Sequence, residues 1–543
     1  MKFRFLGVLI FVSFNLFSQT KKYTDSPKLV VGVVVDQMRF DYISRFYLQF
    51  GNDGFKRLIN EGFECRNHHF NYMPTYTGPG HASIFTGTSP QNHGIIGNNW
   101  YDKFEDKVVY CASDADVKTL GTDSPSEKMS PKRILTMTLG DANRLHTQFK
   151  GKTIGVSIKN RGAILPAGHS ANGAYWFRGK EEGQWISTNY YNEELPKWVK
   201  NFNNNKTVNN YLKQWNTLYP IESYLESGKD LNNYEIGFEG KETATFPYDL
   251  KSLKKKNSGY DILKYTPYGN SIVTDFVLEA IEKEGLGADD VTDVLTVSFS
   301  STDYIGHNFG VNSVEIEDTY IRLDLELAKL LAYLDTKVGK GEYTLFLTAD
   351  HGAVHVPQYL SDRKIPAYYF NQLTFDKGIK QYLKSVFKIE GLVKNISNQQ
   401  VFLNYKLLEE EKISLNKVIK KLQFYISQQK YVQYVFTRGQ LSQRSLNNAT
   451  GQLVQNGFHQ RLSGDIAYVL TPATITYPKK GSTHGSPQNY DTHVPMLFFG
   501  KGVNQGRTFK KTRVIDIVPT VCSLLGIASP NGTTGEVLDF IIK

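Results

Sequence analysis

Leu29-Val-Val-Gly-Val-Val-Val35 is an unbroken run of apolar, mostly β-branched residues that stops at Asp36. Such a run reads as a strand buried on both faces, the kind found inside a parallel sheet. Four more runs are like it: Thr153 to Ile158, Val294 to Phe299, Thr344 to Leu347 and Val494 to Phe499. Helical patterns lie between them. Ser130-Pro131 places proline at the first helical position behind an N-cap and predicts a helix to about Arg144. Ser271 to Lys283 is amphipathic. Ser313 is placed to cap a long helix with Ile316, Tyr320, Leu323, Leu327, Leu330 and Leu334 on one face. Strands alternating with helices predict an α/β fold, a mostly parallel sheet flanked by helices.

The chain has 543 residues, of which 40% are hydrophobic and 21% charged, so a large core is within reach and wholesale disorder is excluded. Three cysteines in this length exclude a disulfide scaffold. Residues 28–543 read as one domain with two inserted cap regions. The first, about 170–265, is rich in Asn, Tyr, Lys and Trp. The second, about 365–475, has a strand–helix–strand pattern around Val401–Tyr405, Ile413–Gln428 and Tyr431–Phe436. Ligands of such sheets sit at the carboxyl ends of strands, so insertions there would wall a site.

Residues 1–19 read as a secretory leader. Lys2 and Arg4 precede a mostly apolar stretch from Phe5 to Phe17, with Ser18-Gln19 at its exit. The apolar stretch is short for a membrane span. Losing Lys2 and Arg4 takes the formal charge from +10 to +8. The mature chain is therefore expected to be soluble, periplasmic or secreted, with no stable membrane anchor. Its basic runs, Lys254-Lys-Lys256 and Lys510-Lys-Thr-Arg513, are too short and scattered for a nucleic-acid interface. A mildly basic surface favours small anionic substrates.

Chemistry-bearing residues cluster just beyond the apolar runs. Asp36 follows the first, and Lys159 and Arg161 follow the second. Asp303 and His307 follow the third, Asp350-His351 follows the fourth, and His484 precedes the fifth. Taken singly, an aspartate at a strand end is a cap and a lone histidine is a structural residue; His68, His69, His81, His93 and His355 keep that reading. Together, three Asp and three His form a set suited to zinc, too many for one tetrahedral site and right for two sites of three. Two such ions roughly 4 Å apart clamp phosphoryl displacements. Thr77, in Pro74-Thr-Tyr-Thr-Gly-Pro-Gly-His-Ala-Ser83, stands where a turn enters a helix. A hydroxyl there is either a cap or a nucleophile beside free backbone N–H groups.

In order and kind, Asp36, the Thr77 segment, Asp303-x-x-x-His307, Asp350-His351 and Thr483-His484-Gly485 resemble the motifs of the alkaline phosphatase superfamily. They are most similar to the phosphate-irrepressible alkaline phosphatases, whose relatives are the nucleotide pyrophosphatase/phosphodiesterases. The resemblance runs from about Lys28 to Asp516-Ile-Val-Pro-Thr-Val521. It implies one zinc on Asp303, His307 and His484 and a second on Asp36, Asp350 and His351. Thr77 would bind the second zinc and attack phosphorus, and water at the first would hydrolyse the phosphothreonine. Asn98, Lys159 and Arg161 would donate to phosphoryl oxygens.

Lys159-x-Arg161 favours a monoester, because two cations match its extra charge where a diester carries a second organic group. The expected activity is thus release of inorganic phosphate from varied phosphomonoesters. One rival is a phosphodiesterase or nucleotide pyrophosphatase with the same metals. Another is a non-catalytic zinc- or phosphate-binding protein, against which an intact Thr77 argues. Thr77-Gly-Pro-Gly-His81 lacks both the convertible Cys or Ser and the Arg of a sulfatase signature. Cys522 is expected inside a helix, whereas a Cys65–Cys111 pair is left open, and nothing demands an oligomer.

Overall fold

The computed structural model describes residues 26–543 apart from Arg444, so the leader lies outside the described residues. Its centre is a ten-stranded sheet. Across it run Gly506–Thr508, Phe63–Cys65, Met496–Gly500, Tyr343–Thr348, Leu29–Val35, Asp293–Phe299, Thr153–Ser157, Gly173–Arg178, Gln184–Thr188 and Thr119–Leu120. Leu29–Val35 lies between two parallel neighbours and is buried along its whole length. Alternation of polar residues would serve no purpose there, which is why its sequence is continuously apolar. Thr153–Ser157 and Gly173–Arg178 extend the parallel core.

The strand Met496–Gly500 differs from its neighbours, running antiparallel to Tyr343–Thr348. It therefore starts at the edge where the parallel strands end. This is how His484, which precedes its strand, reaches the edge where Asp36, Lys159, Asp303 and Asp350 follow theirs.

The helix expected from Ser130 is shorter and begins at Leu139, ending at His146. Ser130 is engaged elsewhere, donating from Oγ to Asp114 Oδ2 at 2.6 Å. The cap falls to Thr138, which accepts from the Asp141 N–H while the Asp141 carboxylate accepts from the Thr138 N–H, a reciprocal box that satisfies two helix-end donors. The other two helices form as their patterns require, over Tyr268–Glu284 and Val314–Leu334, with Ser313 Oγ accepting from the Ile316 N–H.

Residues 173–188 join the edge of the main sheet. The second stretch builds its own four-stranded sheet, in the order Val393–Ser397, Gln400–Leu403, Ile466–Leu470 and Val432–Thr437. It closes a separate apolar cluster with helices Gln372–Phe387 and Leu415–Ser427. Its hairpin tip touches the main body, where Asn398 Nδ2 donates to the Asn99 carbonyl at 2.6 Å. Cys65, Cys111 and Cys522 are buried and free, so the Cys65–Cys111 pair does not form. Cys522 lies within helix Ile517–Leu525.

Gly32 marks the tightest point of the central strand. A Cβ there would fall 2.6 Å from Phe346 Cζ and 2.7 Å from Phe85 Cε1. Gly32→Ala is expected to destabilise the fold by about 1–3 kcal/mol through overpacking, measurable by urea unfolding. Unchanged stability would mean that these rings shift freely.

Candidate active site and metal centre

The site is built from strand ends. Asp36 directly follows Val35, and Asp350 lies two residues beyond Thr348. Asp303 and His307 share helix Ser301–Phe309, four residues apart and so on one face. Lys159 immediately precedes helix Asn160–Ala167. Thr77 opens helix Thr77–Thr86. Asp36, Asp350, His351 and Thr77 are almost wholly shielded from solvent.

Two tight groups result. Asp36, Asp350 and His351 offer ligand atoms within 4.8 Å of one another, as do Asp303, His351 and His484. His351 thus stands between the two, its ring stacked on His484 at 3.4 Å between centroids. His307 borders the second group, with Nε2 3.1 Å from Asp303 Oδ1. All three imidazoles are anchored alike. Nδ1 of His307 bonds the Ser482 carbonyl at 2.7 Å, Nδ1 of His484 the Thr75 carbonyl at 2.7 Å, and Nδ1 of His351 the Gly352 carbonyl at 3.0 Å. A carbonyl only accepts, so Nδ1 carries the proton and the Nε2 lone pair is free to ligate.

Electrostatics point the same way. Burial, and then the Asp350 carboxylate, push Asp36 up to about 8, although Lys159 pulls it down. For Asp350 burial also raises the pKa, but His351 and His81 outweigh it and hold the group below the usual range. Burial, and then His351, hold His484 well below its ordinary value. Both Asp36 oxygens and Asp350 Oδ2 are buried with no hydrogen-bond donor. Lys159 Nζ lies 2.8 Å from Asp36 Oδ2 and also pairs with Asp303, but it does not meet Asp36 in hydrogen-bonding geometry. Crowded carboxylates, three of whose oxygens lack donors, set against imidazole Nε2 atoms, are a donor set for metal cations.

Around Thr77 the groups converge from other sides. Thr77 Oγ1 is 3.4 Å from His351 Nε2 and 3.4 Å from Arg161 Nη2. Asn98 Oδ1 accepts from the Gly78 N–H at 2.7 Å, which leaves its –NH₂ to donate outward. Lys159 sits on the carboxylate side of this arrangement rather than beside Thr77.

Two contributors, Tyr110 and Gln37, escaped the sequence reading, and His81 has the structural role it was given there. Tyr110 donates to Asn160 Oδ1 at 2.5 Å and accepts from Arg161 Nη1 at 3.3 Å, so it steadies the guanidinium. His81 bonds the Thr77 carbonyl and Ser298 Oγ, both at 2.9 Å, and fastens the helix start from below. Gln37 bonds both Asp350 and Asp303. Its only signal was its place beside Asp36.

The family model described as type I phosphodiesterase / nucleotide pyrophosphatase matches residues 30–494. The chain belongs to this family, within the alkaline phosphatase superfamily. Among relatives, it is 42% identical over 541 residues to alkaline phosphatase PafA of Elizabethkingia meningoseptica, covering 99% of this chain and 98% of that one. It is 46% identical over 538 residues, 98% and 97% of the two chains, to a Myroides odoratus protein named calcium-transporting ATPase. Among the described residues no helix is long and apolar enough to cross a membrane. The crystal structure of wild-type PafA superposes with a TM-score of 0.92 at 42% identity, over 95% of this chain and 99% of that one. A PafA variant with one threonine changed to serine, and an asparagine, a lysine and an arginine changed to alanine, matches with the same TM-score at 41% identity and the same coverage.

A chain stripped of metal by chelation is expected to gain about 2.7 kcal/mol of stability when a divalent ion is supplied at 100 times its Kd. His351→Ala, which removes the imidazole shared by both groups, should lose most of that gain. Thermal melting with and without the ion checks it; no shift in the parent chain would sink the metal assignment.

Proposed function

We propose that the chain is an exported, zinc-dependent alkaline phosphatase that releases inorganic phosphate from varied small phosphomonoesters. The observation that carries this reading is the surroundings of Thr77: a buried hydroxyl at a helix start, 3.4 Å from an imidazole and 3.4 Å from a guanidinium, with the Asn98 amide bound to the next residue's N–H. The neighbouring carboxylates and imidazoles fit metals. In support, the residue types changed in the PafA variant, threonine, asparagine, lysine and arginine, stand here in the same order at Thr77, Asn98, Lys159 and Arg161.

Asp303, His307 and His484 would hold one zinc, and Asp36, Asp350 and His351 the other, with Thr77 beside it. Bound there, zinc supplies Lewis-acid charge that makes a hydroxyl or water nucleophilic near neutral pH and offsets charge on a departing oxygen. Thr77 Oγ1 forms the new bond to phosphorus as the ester P–O bond breaks, and the chain becomes a phosphothreonine. Water then attacks phosphorus, and Thr77 Oγ1 leaves with its hydroxyl restored. Asn98 donates to one phosphoryl oxygen through the nitrogen that its bond to Gly78 leaves free. Arg161, held by Tyr110, donates to another. Lys159 adds positive charge from the carboxylate side. Arg161 beside Thr77, backed by the Lys159 charge on the carboxylates, favours the dianionic monoester over a diester.

The ratio of kcat/KM for p-nitrophenyl phosphate to that for bis-p-nitrophenyl phosphate tests this on zinc-loaded mature protein. The monoester should be strongly preferred. Thr77→Ala should lower kcat by at least about 10³-fold, and acid quenching of the parent enzyme should trap phosphate on Thr77. Lys159→Ala should narrow the ratio. A preference for the diester would move the chain to the phosphodiesterase side of its family. Zinc uptake without turnover would make it a binding protein.

A further inference from the structure

Gln37 is an unusual residue for its position. It is buried, and its backbone is left-handed, with φ 63°, a conformation that costs a side-chain-bearing residue free energy. Its backbone N–H donates to Asp350 Oδ1 at 3.1 Å. Its side-chain Nε2 donates to Asp303 Oδ1 at 2.6 Å. One residue therefore grips a carboxylate in each metal-ligating group, and the left-handed turn aims the N–H at one and the side chain at the other. Gly306, between Asp303 and His307 on the same helix face, provides the seat. A Cβ at Gly306 would lie 1.9 Å from Gln37 Oε1. His307 Nε2 and His484 Nε2 face the same Asp303 Oδ1, at 3.1 and 3.7 Å. The amide thus fixes the carboxylate on which the second group is centred.

We infer that Gln37 is a positioning residue that sets the spacing of the two metal sites and holds Asp303 ready for its ion, with Gly306 as its required hollow. This rests on the two-zinc reading above. Outer-shell donors to ligating carboxylates govern metal affinity as well as geometry. Loss of the side-chain donor should therefore weaken one site selectively, since the backbone bond to Asp350 survives any substitution other than proline.

The test is zinc content per chain after equilibration at graded free zinc, for the parent, Gln37→Met, Gln37→Glu and Gly306→Ala. Gln37→Met keeps the length without the donor. Gln37→Glu turns the donor into an acceptor. Gly306→Ala displaces the amide and leaves Gln37 intact. The parent should bind two ions. Each folded variant should keep one at parental affinity and bind the other roughly 10- to 100-fold more weakly, matching the site lost in Asp303→Asn. The cobalt-substituted absorption spectrum should change for that site alone. Retention of both ions at parental affinity overturns the inference, as does loss of both together or a failure of all three variants to fold. A parent chain that takes up no zinc overturns the two-zinc reading itself and this inference with it; two ions in the parent and in every variant overturn only this one.

Discussion

Three carboxylates meet, buried, at the carboxyl edge of the sheet, and their mutual repulsion is the constraint that the rest of the site answers. Water would ordinarily absorb such charge, but Asp36 and Asp350 are fully buried. Lys159 neutralises part of it, and the imidazoles turn their Nε2 atoms toward what remains. The surrounding fold makes this arrangement rigid. Each aspartate is fixed within four residues of a fully buried strand, and each histidine is tied through Nδ1 to a main-chain carbonyl.

Rigidity matters because catalysis of this kind depends on groups placed before the substrate arrives. Helix Thr77–Thr86 is set against the Asp350 segment so closely that a Cβ at Gly80 would lie 2.4 Å from the Asp350 carbonyl oxygen. That closeness brings Thr77 to His351. Asn98 arrives on a loop and Arg161 in the first turn of helix Asn160–Ala167, and each is held by a polar neighbour, the Gly78 N–H and Tyr110. The nucleophile, its activating groups and the phosphoryl donors thus come from different parts of the chain but share few degrees of freedom.

Much of this was legible in the sequence. Continuous apolar runs announced the parallel core, because residues buried on both faces have no polar alternation to hide them. An Asp or a Lys just beyond such a run stood out for the same reason. The direction of Met496–Gly500 was not legible, since an antiparallel neighbour buried on both faces has the same composition. Ser130 misled because an N-cap pattern does not reveal that Asp114, sixteen residues away, takes the hydroxyl. Gln37 and Tyr110 were invisible because their roles lie in bonds to residues remote in sequence. The two Asp/His sets were read with His307 beside Asp303, where the fold places it, and the sequence did not show that His351 also comes against the second group.

The antiparallel strand has a consequence for timing. By entering the sheet from the site edge, it allows the segment around His484 to close a pocket whose first member is Asp36. A nascent chain must therefore emerge almost in full before its acidic pocket is complete, and every shorter intermediate lacks an imidazole. A hydrolase assembled in this order stays inert until nearly its whole chain has been made.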